Sequence, residues 1–258
     1  KMDRDMRCQI PIVYYHSVGN TPLSVKVDNF ITHMSYLKNN NFTTILFKDL
    51  VNKNYKESNK NVVITFDDCF LDVYENALPI IKEFGFIATF FATLGYDNIT
   101  LWGSQEGQRW NTKETDSFNI PYGFMNSKHR AELINLGMEI GSHTVNHFNL
   151  DELNMEEMTY EIRHSKQILE SELGISIDTF CYPRGKYDCN SIKMVRQEYK
   201  GACVTQTGYY DDSNSQYEVL RFGVGNDNNY FYDIVDNKLD ILRYRIIRKL
   251  KNKFNFFK

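Results

Sequence analysis

Two adjacent carboxylates, Asp67 and Asp68, close the apolar run in VVITFDDCF, residues 62–70, and two histidines, His143 and His147, stand four residues apart in GSHTVNH, residues 141–147. Two imidazoles and one carboxylate are a usual shell for a catalytic Zn²⁺ or similar divalent ion, with positions left open for water and substrate. A second carboxylate held beside the first but off the ion is free to take a proton. Each piece alone has a plainer reading. An Asp pair after a strand is also a helix N-cap followed by a first-turn acid. A His-x-x-x-His spacing on a helical turn places both rings on one face without any ion. Together, at predicted strand ends, they point to metal-assisted chemistry.

The elements that must position these residues read as strands alternating with helices. Apolar runs at 10–15, 42–46, 61–66, 86–93, 138–142, 177–182, 201–206 and 219–224 are strand candidates, the 86–93 run apolar enough to be buried on both faces. Phe30, Met34 and Leu37 fall at helical spacing, 79–85 reads as a helix ending in glycine, and 127–137 is bracketed by Ser127 and Gly137. Met158, Ile162, Ser165, Leu169 and Leu173 mark a long helix closed by Gly174. This order predicts an α/β fold with a mainly parallel sheet, open or closed into a barrel. Barrel sites form at the C-terminal strand ends, where His16, Asp67, Asp68, His143 and Pro183 fall.

Bulk properties narrow the class. The 258 residues, 42% hydrophobic and 24% charged, suit one large globular domain or two small ones. No apolar run is long enough for a transmembrane helix, and the first residues carry no signal-peptide pattern. Five scattered cysteines without a Cys-x-x-Cys pair argue against a disulfide framework or a cysteine zinc site and for a reducing compartment. The expected location is cytoplasmic or peripheral to the cytoplasmic membrane, with a leader removed ahead of Lys1 as the alternative. Residues 238–258 hold eight Lys or Arg against Asp240, a local charge of +7, which leaves the remainder at −10 of the chain's −3. A body so acidic excludes nucleic acid as a partner by charge.

Three motifs in order, TFDD (65–68), EIGSHTVNH (139–147) and FCYPRGKYD (180–188), resemble the polysaccharide deacetylase family over about residues 10–225. The resemblance implies a distorted (β/α) barrel of about seven strands that hydrolyses N-acetyl, sometimes O-acetyl or N-formyl, groups on sugars with a divalent metal, zinc first and cobalt, nickel or manganese as alternatives. By the same resemblance Asp68, His143 and His147 are the metal ligands and Asp67 the general base. The backbone N–H of Arg184, after Pro183, supplies an oxyanion contact.

Two departures from the commoner family pattern stand out. The arginine that steadies the base two residues before the motif proline is Cys181 here, as in the subgroup reading F-x-Y-P-x-G; Arg184 or Arg221 are candidates to replace it. Arg221 lies in VLRFGV, which resembles that subgroup's L-P-R-I-x-V segment, with a structural ion pair as its other reading. No histidine follows His164, so the family's late acid is absent, and His16 in PIVYYHSVG resembles the N-terminal Tyr-His of permuted relatives such as the biofilm poly-N-acetylglucosamine deacetylases. A histidine there is suited to protonate a leaving amine; a core histidine bonded to backbone is the alternative. Cys69 reads as a further soft ligand or a small buried residue, and His33, His129 and His164 as surface residues.

The domain expectation is a deacetylase-like barrel over 1–228, with an insertion at 95–126 that carries Trp102 and Trp110, and a basic amphipathic extension over 229–258. The indoles would stack on sugar rings or anchor the insertion by burial. Leu239, Leu242, Ile246, Leu250 and Phe254 line one face of a cationic helix. It would lie on an anionic membrane or on the acidic barrel. The resulting functional expectation is removal of an N-acyl group, acetyl first, from an amino sugar of a polysaccharide or glycoconjugate, with a lipid-linked saccharide as substrate if the membrane reading holds. The rivals are a sugar deformylase, an O-deacetylase or a non-catalytic carbohydrate-binding barrel.

Overall fold

Alternation along each strand sorts this sequence onto the two faces of one curled sheet. The computed structural model describes residues 9–21, 23–97, 123–211 and 215–241. In chain order the strands are β1 (Ile12–Tyr15), the short β2 (Ser17–Val18), β3 (Ser24–Val25) and β4 (Thr43–Thr44), then β5 (Asn61–Asp68), β6 (Thr89–Ala92), β7 (Glu139–Ser142), β8 (Thr179–Cys181), β9 (Gly201–Cys203) and β10 (Phe222–Gly223). The main path runs β10-β1-β5-β6-β7-β8-β9, parallel at every step, with β4 added beside β5. Val204 N–H donates to Val219 O and Arg221 N–H to Gln206 O, each at 3.0 Å, just before Phe222 pairs with Val13. The segment leading into β10 thus spans from β9 back to β1 and curls the sheet into the distorted (β/α) barrel that the family resemblance implies.

Both faces are apolar, as parallel sheets require. Val13, Ile64, Phe66, Phe90, Ile140 and Phe180 join the large cluster under the helices, while Ile12, Val63, Phe91, Cys181 and Cys203 belong to a second cluster on the inner face. The helices are α1 (Val27–Asn39), α2 (Phe47–Val51), α3 (Leu78–Glu83), α4 (Ser127–Asn135), α5 (Met155–Thr159), α6 (Ser165–Leu173), α7 (Cys189–Glu198) and α8 (Asn228–Val235). α2 closes the barrel floor. Its Phe47 and Lys48 N–H groups donate to Thr89 Oγ1 (3.0 Å) and Glu139 Oε2 (2.9 Å), at the N-terminal ends of β6 and β7. With the floor closed, the opposite end is the mouth.

Several local expectations change. α2 and α7 have no counterpart in the sequence reading, while α8 falls at the start of the helical extension expected over 229–258. α2 is too short to show a period, and the buried stripe of α7 is broken by Ser191. The cap of α4 is Asn126, one residue before Ser127, because its side chain reaches the N–H groups of Lys128 and His129 while His129 Nδ1 accepts from Asn126 N–H. His33 is fully buried rather than on the surface. It shares α1's inner stripe with Phe30, Met34 and Leu37, accepts from Tyr15 Oη at 3.0 Å and stacks on Phe231 at 4.0 Å. His164 is exposed, as expected. The helix from 155 to 173 is continuous but winds as a π-helix over Tyr160–His164 before Gly174 ends it at φ +66°. No helix among the described residues is long and apolar enough to cross a membrane. Trp102, Trp110 and nearly all of the basic 238–258 segment lie outside the described residues.

Candidate active site

An extended strand sends neighbouring side chains to opposite faces, yet Asp67 and Asp68 both serve the mouth. The chain turns left-handed at Asp68 (φ +71°) and Cys69 (φ +57°) as β5 ends. Of the eight non-glycine residues with positive φ among the described residues, five belong to this site: Asp68, Cys69, Thr144, His147 and Arg184. Such conformations cost of order 1–3 kcal/mol each and gather where function requires them.

Asp68 faces the histidines. Its Oδ1 lies 3.4 Å from both His143 Nε2 and His147 Nε2, and both of its oxygens are buried without a hydrogen-bond partner. Burial pushes its carboxyl up to about 7, against partial relief from His16. An acid so desolvated, facing two imidazole nitrogens, fits a site completed by a cation. Asp68, His143 and His147 each offer one ligand atom, and these atoms lie within 4.8 Å of one another. His143 Nδ1–H donates to Cys181 O at 2.7 Å, which fixes the tautomer that leaves Nε2 available as a ligand. Burial, with His143 and Arg184 beside it, holds His147 well below the ordinary histidine range and so neutral, the form that binds metals.

The sequence reading set His143 and His147 on a helical turn. The structure corrects this. His143 follows β7, and residues 144–147 form a non-helical turn because their N–H groups bond elsewhere. Thr144 N–H donates to Ser142 Oγ (3.3 Å) and His147 N–H to Thr144 Oγ1 (2.9 Å). Val145 and Asn146 N–H donate to Glu161 Oε2 at 3.0 and 2.8 Å. The carbonyls are bonded too. Thr144 O and Val145 O accept from Leu94 and Gly95 N–H, Asn146 O from Tyr96 Oη, and His147 O from Arg184 Nη1. Gly95 must be glycine for this approach, since a Cβ there would sit 2.9 Å from Val145 O.

Asp67 has the opposite surroundings. Arg221, fully buried, grips it with two bonds, Nη1 to Oδ1 and Nη2 to Oδ2, each 2.8 Å. Burial alone would raise the Asp67 carboxyl; the Arg221 charge and bonds outweigh it and hold it at about 2. The guanidinium is fixed in turn by Thr65 Oγ1 (2.9 Å) and Val204 O (3.1 Å), with the Tyr14 ring 4.6 Å from its carbon. Gly223 leaves room for Tyr14, whose ring a Cβ would meet at 2.7 Å. Cys181 Sγ lies 3.0 Å from Arg221 Nη2 and 3.7 Å from Asp67 Oδ2. The small thiol thus sits beside an arginine that reaches the acid from the segment leading into β10. Of the two candidate arginines, Arg221 meets Asp67, while Arg184 points to the histidine turn, bonding His147 O at 3.1 Å and Asn149 Oδ1 at 3.0 Å. His16, half-buried after β1 with its ring edge-on to Tyr14, lies near enough for its charge to lower both carboxyls. Cys69 is buried and belongs to neither cluster of potential ligands found among the described residues.

Glu161 escaped the sequence reading. An acid three residues after Met158 and four before Ser165, inside the helix's apolar stripe, is the signal that marks it. A buried carboxylate must have donors to meet.

A parallel barrel whose mouth holds an acid–histidine cluster beside an arginine-gripped acid suits metal-assisted hydrolysis. The chain belongs to the polysaccharide deacetylase family, whose model matches residues 54–199, more than half of its length. YxkH of Bacillus subtilis (strain 168), named for the same activity, is 27% identical over 222 residues, 84% of this chain and 71% of that protein. Among solved structures, the Streptococcus pyogenes deacetylase PplD, determined in complex with acetate, superposes with a TM-score of 0.73 at 23% identity, covering 89% of this chain and 99% of that one. IcaB from Ammonifex degensii gives 0.73 at 16% identity, covering 90% and 97%. Both likenesses show the fold.

Proposed function

We propose that the protein removes an N-acyl group, N-acetyl first, from an amino sugar of a polysaccharide or glycoconjugate, using a divalent ion held by Asp68, His143 and His147. The observation that carries this reading is the contrast at the end of β5: Asp68, buried without a hydrogen bond and facing two Nε2 atoms, stands beside Asp67, fully paired. Zinc suits a two-imidazole, one-carboxylate donor set, with cobalt, nickel or manganese as substitutes. When bound, such an ion acidifies a water and polarises the amide carbonyl.

The chain's own residues supply the rest. Asp67 Oδ1 accepts one bond, from Arg221, and keeps a lone pair for the proton of the attacking water. Arg221 keeps that carboxylate ionised and oriented. His16 gives the proton to the departing amine, and the Arg184 N–H, presented by a left-handed backbone after Pro183, bonds the developing oxyanion. The acetate in the PplD complex is in keeping with an acetyl product. A lipid-linked saccharide, approached through the basic 238–258 segment from a cytoplasmic or membrane-peripheral position, is the substrate form that this segment's charge favours.

The test is metal analysis of purified protein, then acetate and formate release from a panel of N-acyl saccharides. One ion per chain with acetate release supports the reading. Formate release alone makes the protein a deformylase, and release of neither sinks the hydrolytic function.

A further inference from the structure

We propose that Glu161 is a positioning residue for the metal ligands, acting through the turn that joins His143 to His147. This rests on the metal-site reading above and extends it to a residue on the surrounding helical layer.

Glu161 is 1% exposed and lies in the π-wound stretch Tyr160–His164. A π turn inserts an extra residue into a helix and is frequent at functional sites. From there the carboxylate takes three donors of the turn: Val145 N–H at 3.0 Å and Asn146 N–H at 2.8 Å on Oε2, and Asn146 Nδ2 at 2.7 Å on Oε1. The remaining N–H groups of residues 144–147 are met close by in the chain, by the side chains of Ser142, at the end of β7, and Thr144. Glu161 is therefore the acceptor that ties this turn to the helix. The turn carries two left-handed residues, Thr144 and His147, so it needs external bonds to hold its shape. Its shape sets the spacing of the two Nε2 atoms that face Asp68. Removing a group bonded directly to a metal ligand costs about 10–100-fold in affinity; Glu161 bonds the residues between the two ligands, so its loss falls at the lower end of that range.

The experiment measures Zn²⁺ affinity by competition with a chromogenic chelator, and thermal unfolding in EDTA, for the parent, Glu161→Ala, Asn146→Asp and Asn146→Asp/Glu161→Gln. Glu161→Ala is expected to bind zinc about 10-fold more weakly, the lower end of the range for direct partners of a ligand. Asn146→Asp sets two carboxylates face to face and is expected to lose about 10-fold by the same loosening of an outer partner. Adding Glu161→Gln restores a donor–acceptor pair and recovers most of that loss, a reciprocal rescue that a general loss of stability does not produce. If Glu161→Ala does not fold, the Asn146 pair decides. Parent-like zinc affinity in Glu161→Ala or Asn146→Asp, or a double variant no better than Asn146→Asp, overturns the inference while a zinc-binding parent leaves the metal site standing. A parent that binds no zinc overturns the metal site itself, and this inference with it.

Discussion

At the barrel floor, Glu139 accepts from Thr89 Oγ1 at 2.7 Å, Thr179 Oγ1 at 2.6 Å and Lys48 N–H at 2.9 Å. At the mouth Asp68, as deeply buried, accepts no hydrogen bond at either oxygen. Both acids lie in the same sheet and both are desolvated. The floor acid is satisfied by side chains and a helix end, so it ties the plug α2 to β6, β7 and β8. The mouth acid is left facing two imidazoles, an arrangement that costs stability and makes sense where a cation is to be held. The mouth also keeps the two kinds apart at neighbouring positions: Asp67 is paired by Arg221 and Asp68 is not.

Substitutions at the floor should change stability alone, whereas those at the mouth should reach turnover as well. Asp67→Asn is expected to keep zinc and lose turnover by about 10²–10⁴-fold, as for loss of a general base; an active variant removes Asp67 from that role. Arg221→Met strands a buried carboxylate and should lower unfolding free energy by about 3–5 kcal/mol in denaturant titrations. A smaller loss would mean that other donors reach Asp67. Glu139→Gln places an amide against a donor at the floor and should cost about 1–3 kcal/mol, with zinc affinity unchanged. A change in zinc affinity there would break the division between floor and mouth.

A pH effect tests a third buried group, outside both regions. Burial lowers His33 from 6.5 to about 4, against a smaller opposing effect of the nearby Asn228 amide. The folded state therefore favours the neutral ring. Its contribution is complete above pH 6.5 and is lost as pH falls towards about 4. His33→Gln should flatten that part of the stability profile, read by urea unfolding at several pH values. An unchanged acid slope would place the titration elsewhere.

Much of this was readable in the sequence, for physical reasons. The long strands and the 155–173 helix announce themselves by period, and Asp67, Asp68, His143 and His147 by residue type and order. What was not readable depends on contacts distant in the chain. Arg221 meets Asp67 across 154 positions, so spacing could not choose it over Arg184. His33 looked like a surface residue because its partners, Tyr15 and Phe231, come from opposite ends of the chain. The histidine turn looked helical because four-residue spacing is ambiguous, and only the positive φ values at Thr144 and His147 reveal its true shape.

The central claim, a catalytic divalent ion between Asp68, His143 and His147, is tested most directly by stripping the protein with chelator and titrating Zn²⁺ back while following acetate release from an N-acetylated oligosaccharide. The account predicts no turnover in the stripped protein, recovery that saturates at one equivalent, and no recovery in His143→Ala. Full turnover in the stripped protein, or recovery in His143→Ala equal to that of the parent, would contradict it.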